Sequence, residues 1–440
     1  MKNIIQYLLK IAITAAFLLG LNFAEAQVAK SINGNFALTN ATIETVTKGV
    51  ITNGTLLMQD GKILAIGAAT AVSIPDDFTR IDCTGLTVYP GMIDGGTKLG
   101  LSEIGSISLT QDYNEVGDFT PQMQALTAVN PNSVSIPITR TNGVTTVITM
   151  PSGGLFPGTA ALINLNGYTP DQMYAGFKGL IVNYPTSGKS SRWDRRSDED
   201  RKKEEEKKLE QLNEVWEQAR LYAKIDSAAV SNPSMRPEYN PEMEAMLPVI
   251  QGKVPVLLEV NKAKDIESAI EWVKENKINA IFTGVAEGWR VADKLAAAKI
   301  PVITGPVLRT PTRESDKYDR PYANAGLMHK AGVKVALRTN EIENVRNLPF
   351  NAGFAAAYGL GKTEALKAVT IVPAEILGVS DQLGSLEQGK AATLFVADGD
   401  PFETKTQVRY LFIDGYQVPM DSRQIQLNEE FLQRSPGVKE

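Results

Sequence analysis

The sequence predicts an α/β fold in which a barrel of βα units is joined to a small β domain built from both ends of the chain. Near-continuous apolar strands alternate with amphipathic helices between Thr145 and Leu337, as in a parallel sheet covered by helices. Short strands with turn residues occupy 36–89 and return near the C-terminus. The number of βα units in one chain favours a barrel over an open sheet.

The β segments are defined by their turns. Asn53-Gly54 and Asp60-Gly61 are hairpin-type dipeptides flanked by apolar runs, and Asp414-Gly415 follows the last apolar run of the chain. We expect Leu56–Met58 to pair with Ile63–Ile66. Two further strands are expected at Ala392–Val396 and Val408–Ile413. The predicted composite β domain spans 27–88 and 389–440, and the barrel spans 89–388.

The barrel strands are expected where apolar runs recur in the middle of the chain: Thr145–Met150, Val254–Val260, Ala280–Thr283, Pro301–Thr304 and Val333–Leu337. Helical patterns cover Asp265–Glu275 and Gly288–Ala298 between them.

A charged helix is predicted at 197–225. Ser197 and Asp200 resemble a capping box at its start, with Asp in place of the usual Glu or Gln. One apolar stripe is expected to pack on the barrel exterior, with partner docking as the alternative. The stripe consists of Leu209, Leu212, Trp216, Ala219 and Tyr222.

The composition limits the chemistry. The 440 residues carry 45 Lys and Arg against 50 Asp and Glu, a net charge of −5, which does not indicate the basic surface that nucleic acid requires. Hydrophobic residues make up 43%, enough for a large core. One histidine and one cysteine, His329 and Cys83, exclude a histidine-rich metal centre and an intramolecular disulfide. We expect Cys83 to be a small core residue.

The N-terminus has the pattern of a secretory signal peptide. Lys2 precedes an apolar run, and Ala24-Glu25-Ala26 fits a signal-peptidase site. We expect cleavage of 1–26 and a periplasmic or extracellular protein that begins at Gln27. An uncleaved membrane anchor is the alternative. No later stretch is apolar enough to span a membrane, so we expect no membrane insertion after cleavage.

Several motifs resemble the amidohydrolase superfamily, and the imidazolonepropionase-like branch in particular. Val88–Asp94 is similar to the opening of that family's barrel, and Asn142–Val147 to its second unit. The strongest likeness lies in the tail, at Glu364–Ala374, Leu383–Ala392 and Asp398–Pro401. The resemblance implies a distorted (β/α)8 TIM barrel with a β-sandwich made from both termini. It also implies hydrolysis of non-peptide amide or cyclic-amide C–N bonds by a hydroxide on one or two divalent metals such as zinc.

The positions at which the resemblance places metal ligands hold other residues: Gly96, Lys98, Asn164, Glu259 or Asn261, Thr283 and Asn340. Glycine has no donor atom, an ammonium repels a dication, and an amide lacks the basicity of a general base. His329 lies in a helical run and is expected to be packed or on the surface. We therefore expect no metal cofactor, and a pseudoenzyme with a degenerate site.

We expect these positions to line a substrate pocket at the barrel mouth. We hypothesise that Lys98 occupies the vacated metal position and pairs with Glu259, and these two are the candidate catalytic residues. The loop Ser152–Gly158 is expected to be a βα loop that forms a pocket wall or a plain connection. The charged segment Arg309–Tyr322 is expected to be a lid or interface loop.

Three functions remain open. The first is a metal-free partner or regulatory subunit of an active amidohydrolase relative, a homo-oligomer, or a binding module. The second is a C–N hydrolase with an atypical site, and the third is a protein that binds a small solute without chemistry. The carboxylates available to an atypical hydrolase are Asp94, Asp112, Glu115, Asp118 and Glu259.

Overall fold

The computed structural model describes residues 30–189, 194–232, 234 and 236–434. The predicted signal peptide, 1–26, lies outside the described residues. The strands, in chain order, are β1 (Phe36–Glu44), β2 (Val50–Gln59), β3 (Lys62–Ala68), β4 (Thr79–Asp82), β5 (Thr87–Pro90), β6 (Met92–Thr97), β7 (Val144–Thr149), β8 (Gly158–Asn164), β9 (Tyr174–Asn183), β10 (Val256–Val260), β11 (Ala280–Gly284), β12 (Val302–Thr304), β13 (Val335–Leu337), β14 (Leu394–Ala397), β15 (Val408–Ile413) and β16 (Tyr416–Val418).

The helices are α1 (Ala125–Ala128), α2 (Ser135–Arg140), α3 (Pro170–Met173), α4 (Asp198–Ala229), α5 (Pro241–Ile250), α6 (Ala263–Asn276), α7 (Ala292–Ala298), α8 (Arg320–Lys330), α9 (Leu348–Ala355), α10 (Lys362–Ala368), α11 (Ile371–Ile376) and α12 (Arg423–Leu432). Within the described ranges, no helix combines the length and apolarity needed to cross a bilayer.

The two ends of the chain form one eight-stranded sheet in the order β16-β15-β14-β5-β1-β2-β3, with β4 paired to β1. This sheet folds onto itself. The ring of Phe36 on β1 lies 5.3 Å from that of Phe412 on β15, although β14 and β5 separate these strands in the sheet. The buried Cys83 belongs to the enclosed core. The expected β-sandwich is therefore a single sheet curled around its own apolar face.

One of the two predicted hairpin turns is confirmed, and Asp414-Gly415 forms a further one. Asp60-Gly61 joins β2 to β3, and Asp414-Gly415 joins β15 to β16, with positive φ at all four residues. The prediction of a turn at Asn53-Gly54 is wrong, because both residues lie inside β2. A Cβ at position 54 would lie 2.6 Å from the Cδ1 atom of Ile43, so the glycine permits a close approach of strands.

The second sheet is a nearly closed barrel in the order β13-β12-β11-β10-β9-β8-β7-β6. Its strands are parallel except β8, which runs antiparallel to both of its neighbours. The seam between β6 and β13 is joined at the mouth, where the backbone N–H of Asn340 donates to the carbonyl of Gly96 at 2.9 Å and that of Lys98 donates to the carbonyl of Glu341 at 2.9 Å.

The barrel interior is an apolar layer to which every barrel strand contributes: Ile93, Ile148, Leu162, Ile181, Leu257, Ile281, Ile303 and Ala336. Side chains two residues further along a strand point to the same side. Glu259, Thr283 and Arg338 each follow one of these interior residues by two positions. The alternation of the strands therefore places these three polar side chains inside the barrel, above the apolar layer and at its mouth.

The charged helix α4 begins where the capping box predicts. The Ser197 hydroxyl accepts from the backbone N–H of Asp200 at 3.0 Å and donates to its carboxylate at 2.6 Å. The helix runs to Ala229, four residues beyond the predicted end. Its apolar stripe packs on α6, with the rings of Trp216 and Trp272 5.3 Å apart. This helix thus covers the barrel exterior.

Candidate functional site

A buried ion pair occupies the barrel mouth. The Arg338 guanidinium, 3% exposed, donates to both carboxylate oxygens of Glu259, with Nη1 to Oε2 and Nη2 to Oε1 each at 2.8 Å. Glu259 lies at the end of β10 and Arg338 directly follows β13. The pair therefore spans the mouth from one strand to another three strands away.

Two more donors complete the surroundings of Glu259. The Thr283 hydroxyl donates to Oε2 at 2.8 Å, and the Asn261 amide donates to Oε1 at 2.9 Å. Burial raises the pKa of this carboxyl, but the charge and hydrogen bonds of Arg338, with those of Asn261 and Thr283, outweigh burial and hold the pKa below its usual value. A carboxylate with four donors and a lowered pKa is a poor general base at neutral pH.

The salt bridge that the sequence predicts between Lys98 and Glu259 is not formed. The Lys98 ammonium instead lies 4.5 Å from the centroid of the Tyr113 ring, and it forms no ion pair with any described residue. The longer, forked side chain of Arg338 reaches both oxygens of the carboxylate and takes the place proposed for lysine. Burial lowers the pKa of Lys98, as does the neighbouring Arg338, while Glu259 acts in the opposite direction.

Gly96 marks the position where the resemblance expects the first histidine of the metal site. A Cβ there would lie 2.6 Å from Sδ of Met150 and 3.1 Å from Cδ of Arg338. These two side chains already fill the space that a histidine side chain requires. Glycine at position 96 therefore leaves the space that the Arg338 side chain occupies.

A third cation, Arg309, is close enough to the ion pair to be influenced by the charges of both partners. Arg309 lies in the segment after β12 and is half-buried. Burial lowers the pKa of its guanidinium, Arg338 lowers it further, and Glu259 opposes both. Its side chain forms no hydrogen bond or ion pair with the part of the chain that the structure describes.

Asn164 does not lie at the mouth. Because β8 is antiparallel, its C-terminal end lies at the opposite end of the barrel from the mouth. Asn164 accepts from the Thr146 hydroxyl at 2.9 Å and donates to the Asp414 carboxylate at 2.7 Å. It therefore joins the barrel to the terminal sheet and does not line a pocket at the mouth, as the sequence suggested.

Asp94 is fully buried at the barrel seam. Its carboxylate accepts from the Thr339 hydroxyl at 2.6 Å, from the Thr339 backbone N–H at 3.1 Å and from the Gly96 backbone N–H at 3.0 Å. Burial raises its pKa to about 7, against the hydrogen bonds of Thr339 and Gly96. These bonds join β6 to the segment after β13, so the geometry gives Asp94 a structural role.

Among the described residues, none of the remaining predicted site residues is hydrogen-bonded to the Arg338–Glu259 pair through its side chain. Asn340 is exposed and has a positive φ of 55°. Asp112, Glu115 and Asp118 are exposed on the segment between β6 and α1. His329 lies in α8, half-exposed, with its Nε2 4.0 Å from Glu364.

The two predicted loops lie at the mouth. Ser152–Gly158 leads into the antiparallel strand β8, so it is a connection between strands and not the βα loop that the sequence suggested. Its Ser152 N–H donates to the carbonyl of Tyr113 at 2.7 Å.

The charged segment after β12 is tied down by ion pairs. Arg313 contacts the buried Glu287 at 2.6 Å, and Arg290 pairs with Asp316. Its role as a lid or interface stays a prediction.

The residues at the mouth do not fit a divalent metal. Across 30–189, 194–232, 234 and 236–434, no three His, Cys, Asp or Glu side chains meet as potential ligands. The carboxylate that is present, Glu259, is saturated by an arginine and two neutral donors. Neutral imidazoles and free carboxylates are the ligands that zinc prefers, and we derive no chemical step through a metal.

The barrel, the sheet built from both termini and the polar mouth define the class of protein. The chain belongs to the amidohydrolase family, whose model matches residues 138–418. An imidazolonepropionase from Sphingopyxis alaskensis is 24% identical over 417 residues, covering 83% of this chain and 92% of that relative. Amidohydrolase tasK from Hapsidospora irregularis is 22% identical over 408 residues; that match covers 82% of this chain but 39% of tasK.

Solved structures agree with the fold. The crystal structure of an amidohydrolase from Thermotoga maritima matches with a TM-score of 0.77 and 26% identity, covering 87% of this chain and 99% of that one. Molinate hydrolase matches with a TM-score of 0.57 at 16% identity, covering 93% and 100%, which shows likeness of fold alone. The expected superfamily and TIM-barrel fold are confirmed.

Sequence reasoning missed two residues of the site, Arg338 and Arg309. A signal for Arg338 was present, because it follows the interior residue Ala336 by two positions. The sequence marked Arg309 only as the first residue of the charged segment Arg309–Tyr322, and no pattern there indicated a place beside Glu259.

Proposed function

We propose that this protein is a metal-independent member of the amidohydrolase family that has lost the family's hydrolysis and acts as a binding or partner protein. The observation that carries the proposal is the bidentate pair of Arg338 with Glu259 at the mouth, packed against Gly96. A guanidinium there repels a dication, and the glycine offers no ligand.

The chemistry supports the same proposal. Hydrolysis of an amide at neutral pH requires an activated water and a base to accept its proton. Glu259 has its lone pairs engaged by four donors and its pKa lowered. Asp94 is fully buried and bound to Thr339 and Gly96. Neither carboxylate is free to accept a proton from water at the mouth.

An atypical C–N hydrolase is the second candidate, and one observation favours it. Lys98 is half-buried at the mouth, its pKa is lowered by burial, and it has no carboxylate partner among the described residues. A lysine with a lowered pKa can serve as base or nucleophile. In this alternative, turnover depends on Lys98 and needs no metal.

Metal content and turnover measured on one preparation test the proposal. The chain is purified without chelator, incubated with excess Zn²⁺ or Mn²⁺ and desalted. Its metal content is then measured by inductively coupled plasma mass spectrometry. Hydrolysis of a panel of amides and cyclic imides is followed in parallel, with an active amidohydrolase treated identically as the positive control. We expect substoichiometric metal and no hydrolysis above the blank.

Stoichiometric metal with hydrolysis that a chelator abolishes would contradict the proposal. Metal-free hydrolysis that Lys98→Ala removes would establish the second candidate instead.

We further propose that the protein works after export, as the N-terminal Ala24-Glu25-Ala26 motif suggests, and that it associates with an active relative or with itself. N-terminal sequencing of the protein from a periplasmic fraction tests export, with Gln27 expected first. Light scattering of the pure protein, alone and mixed with the active relative, tests association.

A further inference from the structure

We propose that a second copy of this chain docks on the C-terminal helix α12, with the two α12 helices packed antiparallel across a two-fold axis. The inference rests on the proposed self-association and names the surface that carries it. It begins from a helix whose apolar side chains have no cover among the described residues.

The helix α12 is not packed on the rest of the described chain. None of its ten residues is buried. Helices shorter than about 12–15 residues are marginal in water and gain most of their stability by burying an apolar face. The buried Ser422 caps the first turn by accepting from the backbone N–H of Ile425 at 3.2 Å, but a cap supplies no apolar cover. The helix therefore lacks the packing that normally stabilises one of its length.

The large apolar side chains of α12 share one half of the helix surface. With about 3.6 residues per turn, Leu427 and Phe431 are neighbours four residues apart, and Ile425 and Leu432 are neighbours seven residues apart. These four side chains are between 37% and 59% exposed. Asn428 lies between the two pairs, so it marks the middle of the apolar face. A contiguous exposed apolar face of this kind is typical of an interaction surface.

A groove continues the apolar face towards the barrel. It has a volume of about 440 Å³ and lies between α12, α2, the start of α9 and the segment 401–408. Its apolar lining consists of Ile138, Pro349, Phe350, Pro401, Val408 and Ile425. Amphipathic helices bind by placing their apolar side chains in grooves of this kind. The groove thus offers space for side chains of a helix that packs against α12.

The charges on α12 favour a second copy as that partner. Arg423 and Glu430 are seven residues apart and lie along the same edge of the apolar face. In an antiparallel pair related by two-fold symmetry, this edge of one helix faces the same edge of the other, so that Arg423 of each copy meets Glu430 of the other copy. Both ion pairs form at once, and the surface is complementary to itself.

These charges do not serve the isolated helix. A cation at the start of a helix and an anion near its end both oppose the helix dipole. Arg423 has no ion pair or hydrogen bond through its side chain within the described residues, and Glu430 pairs there with the exposed Arg434. Pairing between copies therefore gives Arg423 the carboxylate that it lacks in a single chain.

The proposed interface is small. Specific protein interfaces usually bury about 1,200–2,000 Å² in total, and one pair of ten-residue helices with the adjoining groove falls at the low end of that range. We therefore expect a reversible dimer with a dissociation constant on the order of 10 μM.

Cross-linking of the full-length protein tests the contact directly. Cys83, the only cysteine of the chain, is buried, so a cysteine placed on α12 reports contact between copies. Asn428→Cys lies in the middle of the apolar face and should give a disulfide-linked dimer under mild oxidation, seen on a non-reducing gel. The matched control is Gln426→Cys, on the opposite side of the same helix, which should cross-link at least tenfold more slowly.

Sedimentation velocity over a range of concentrations measures the affinity. Phe431→Ala should weaken association at least tenfold, the loss typical of an aromatic residue at the centre of an interface. Leu109→Ala, which shortens a side chain that is 92% exposed in another part of the chain, is the control and should change nothing. Arg423→Glu should weaken association, and the exchange Arg423→Glu/Glu430→Arg should restore it to within threefold. Circular dichroism confirms that each variant is folded.

Four results overturn the inference: a monomer at all concentrations up to about 1 mM, a dimer that Phe431→Ala leaves unchanged, equal cross-linking of the two cysteine variants, or no recovery of association in the charge exchange. A dimer with equal cross-linking would use another surface, which removes this inference and keeps the proposed self-association. None of these results bears on metal content or turnover, so the failure of this inference and the failure of the proposed function can be told apart.

Discussion

Replacing Arg338 by methionine should destabilise the protein by about 3 kcal/mol, because it leaves the Glu259 carboxylate without its cation. Breaking a buried ion pair costs about 3–5 kcal/mol. We expect the lower end of that range, since Glu259 is 26% exposed and keeps its hydrogen bonds from Thr283 and Asn261. Methionine preserves most of the aliphatic volume beside Gly96 and Met150.

The double variant Arg338→Met/Glu259→Met separates the charge effect from packing. With both charges gone, methionine side chains occupy the layer directly above the apolar interior, while Lys98 and Arg309 stay at the mouth; replacing a buried pair by apolar residues of similar volume is often neutral. The Thr283 hydroxyl then loses its acceptor, at a cost of about 1–3 kcal/mol. We therefore expect the double variant to be more stable than Arg338→Met alone.

The assay is urea unfolding monitored by tryptophan fluorescence and circular dichroism, with Arg409→Met as the matched control. Arg409 pairs with Asp398 at 2.7 Å, but its side chain is 55% exposed, so its loss should cost less than about 1 kcal/mol. The reasoning is refuted if Arg338→Met lowers the free energy of unfolding no more than Arg409→Met does. It is also refuted if the losses measured for Arg338→Met and Glu259→Met alone add up to the loss in the double variant.

Three further predictions follow from single residues. Gly96→His should destabilise the fold by about 1–3 kcal/mol through overpacking and should gain no zinc, whereas Gly105→His, where a Cβ meets nothing among the described residues within 4 Å, should not destabilise it. Asp94 has a pKa of about 7 in the folded protein, above its value of about 3.9 in the unfolded chain. The folded state therefore holds a proton that the unfolded state releases, and the free energy of unfolding falls by about 3 kcal/mol as the pH rises from 5 to 8. In urea titrations across that range, Asp94→Asn should lack this pH dependence. Burial raises the pKa of Cys83 to about 11, so a thiol reagent at pH 8 should label it only after unfolding; labelling of the native protein would contradict its burial.

The fold was readable from the sequence because its signals are local. Apolar runs predicted five of the eight barrel strands, β7 and β10 to β13, and Asp60-Gly61 predicted the turn between β2 and β3 of the terminal sheet. Strand direction is a different matter. A strand buried on both faces shows the same apolar run whether it is parallel or antiparallel, so nothing in the sequence revealed that β8 runs backwards. Because β8 is antiparallel, Asn164 lies at the opposite end of the barrel from the mouth, where the sequence had suggested it.

The sequence predicted the site only in part, because the choice of the cation that pairs with Glu259 depends on the length and position of the side chains around it. The sequence identified Glu259 as an unusual carboxylate at a ligand position, and the structure places it at the mouth. Which cation binds it is decided by side-chain length and by the closure of β6 on β13, and neither is encoded in a local pattern. Lys98 was the nearest candidate by alignment, whereas Arg338 has the forked group that satisfies both oxygens.

The Arg338–Glu259 pair also bears on how the barrel mouth stays ordered. In a metal-dependent relative, the ion would tie together ligands from several strands. Here the Arg338–Glu259 pair ties β10 to the end of β13, Thr283 adds β11, and Asp94 joins β6 across the seam. The strands that a metal would hold together are thus joined by hydrogen bonds and one ion pair. These contacts pre-organise the mouth, and pre-organisation is the property that the proposed binding role requires.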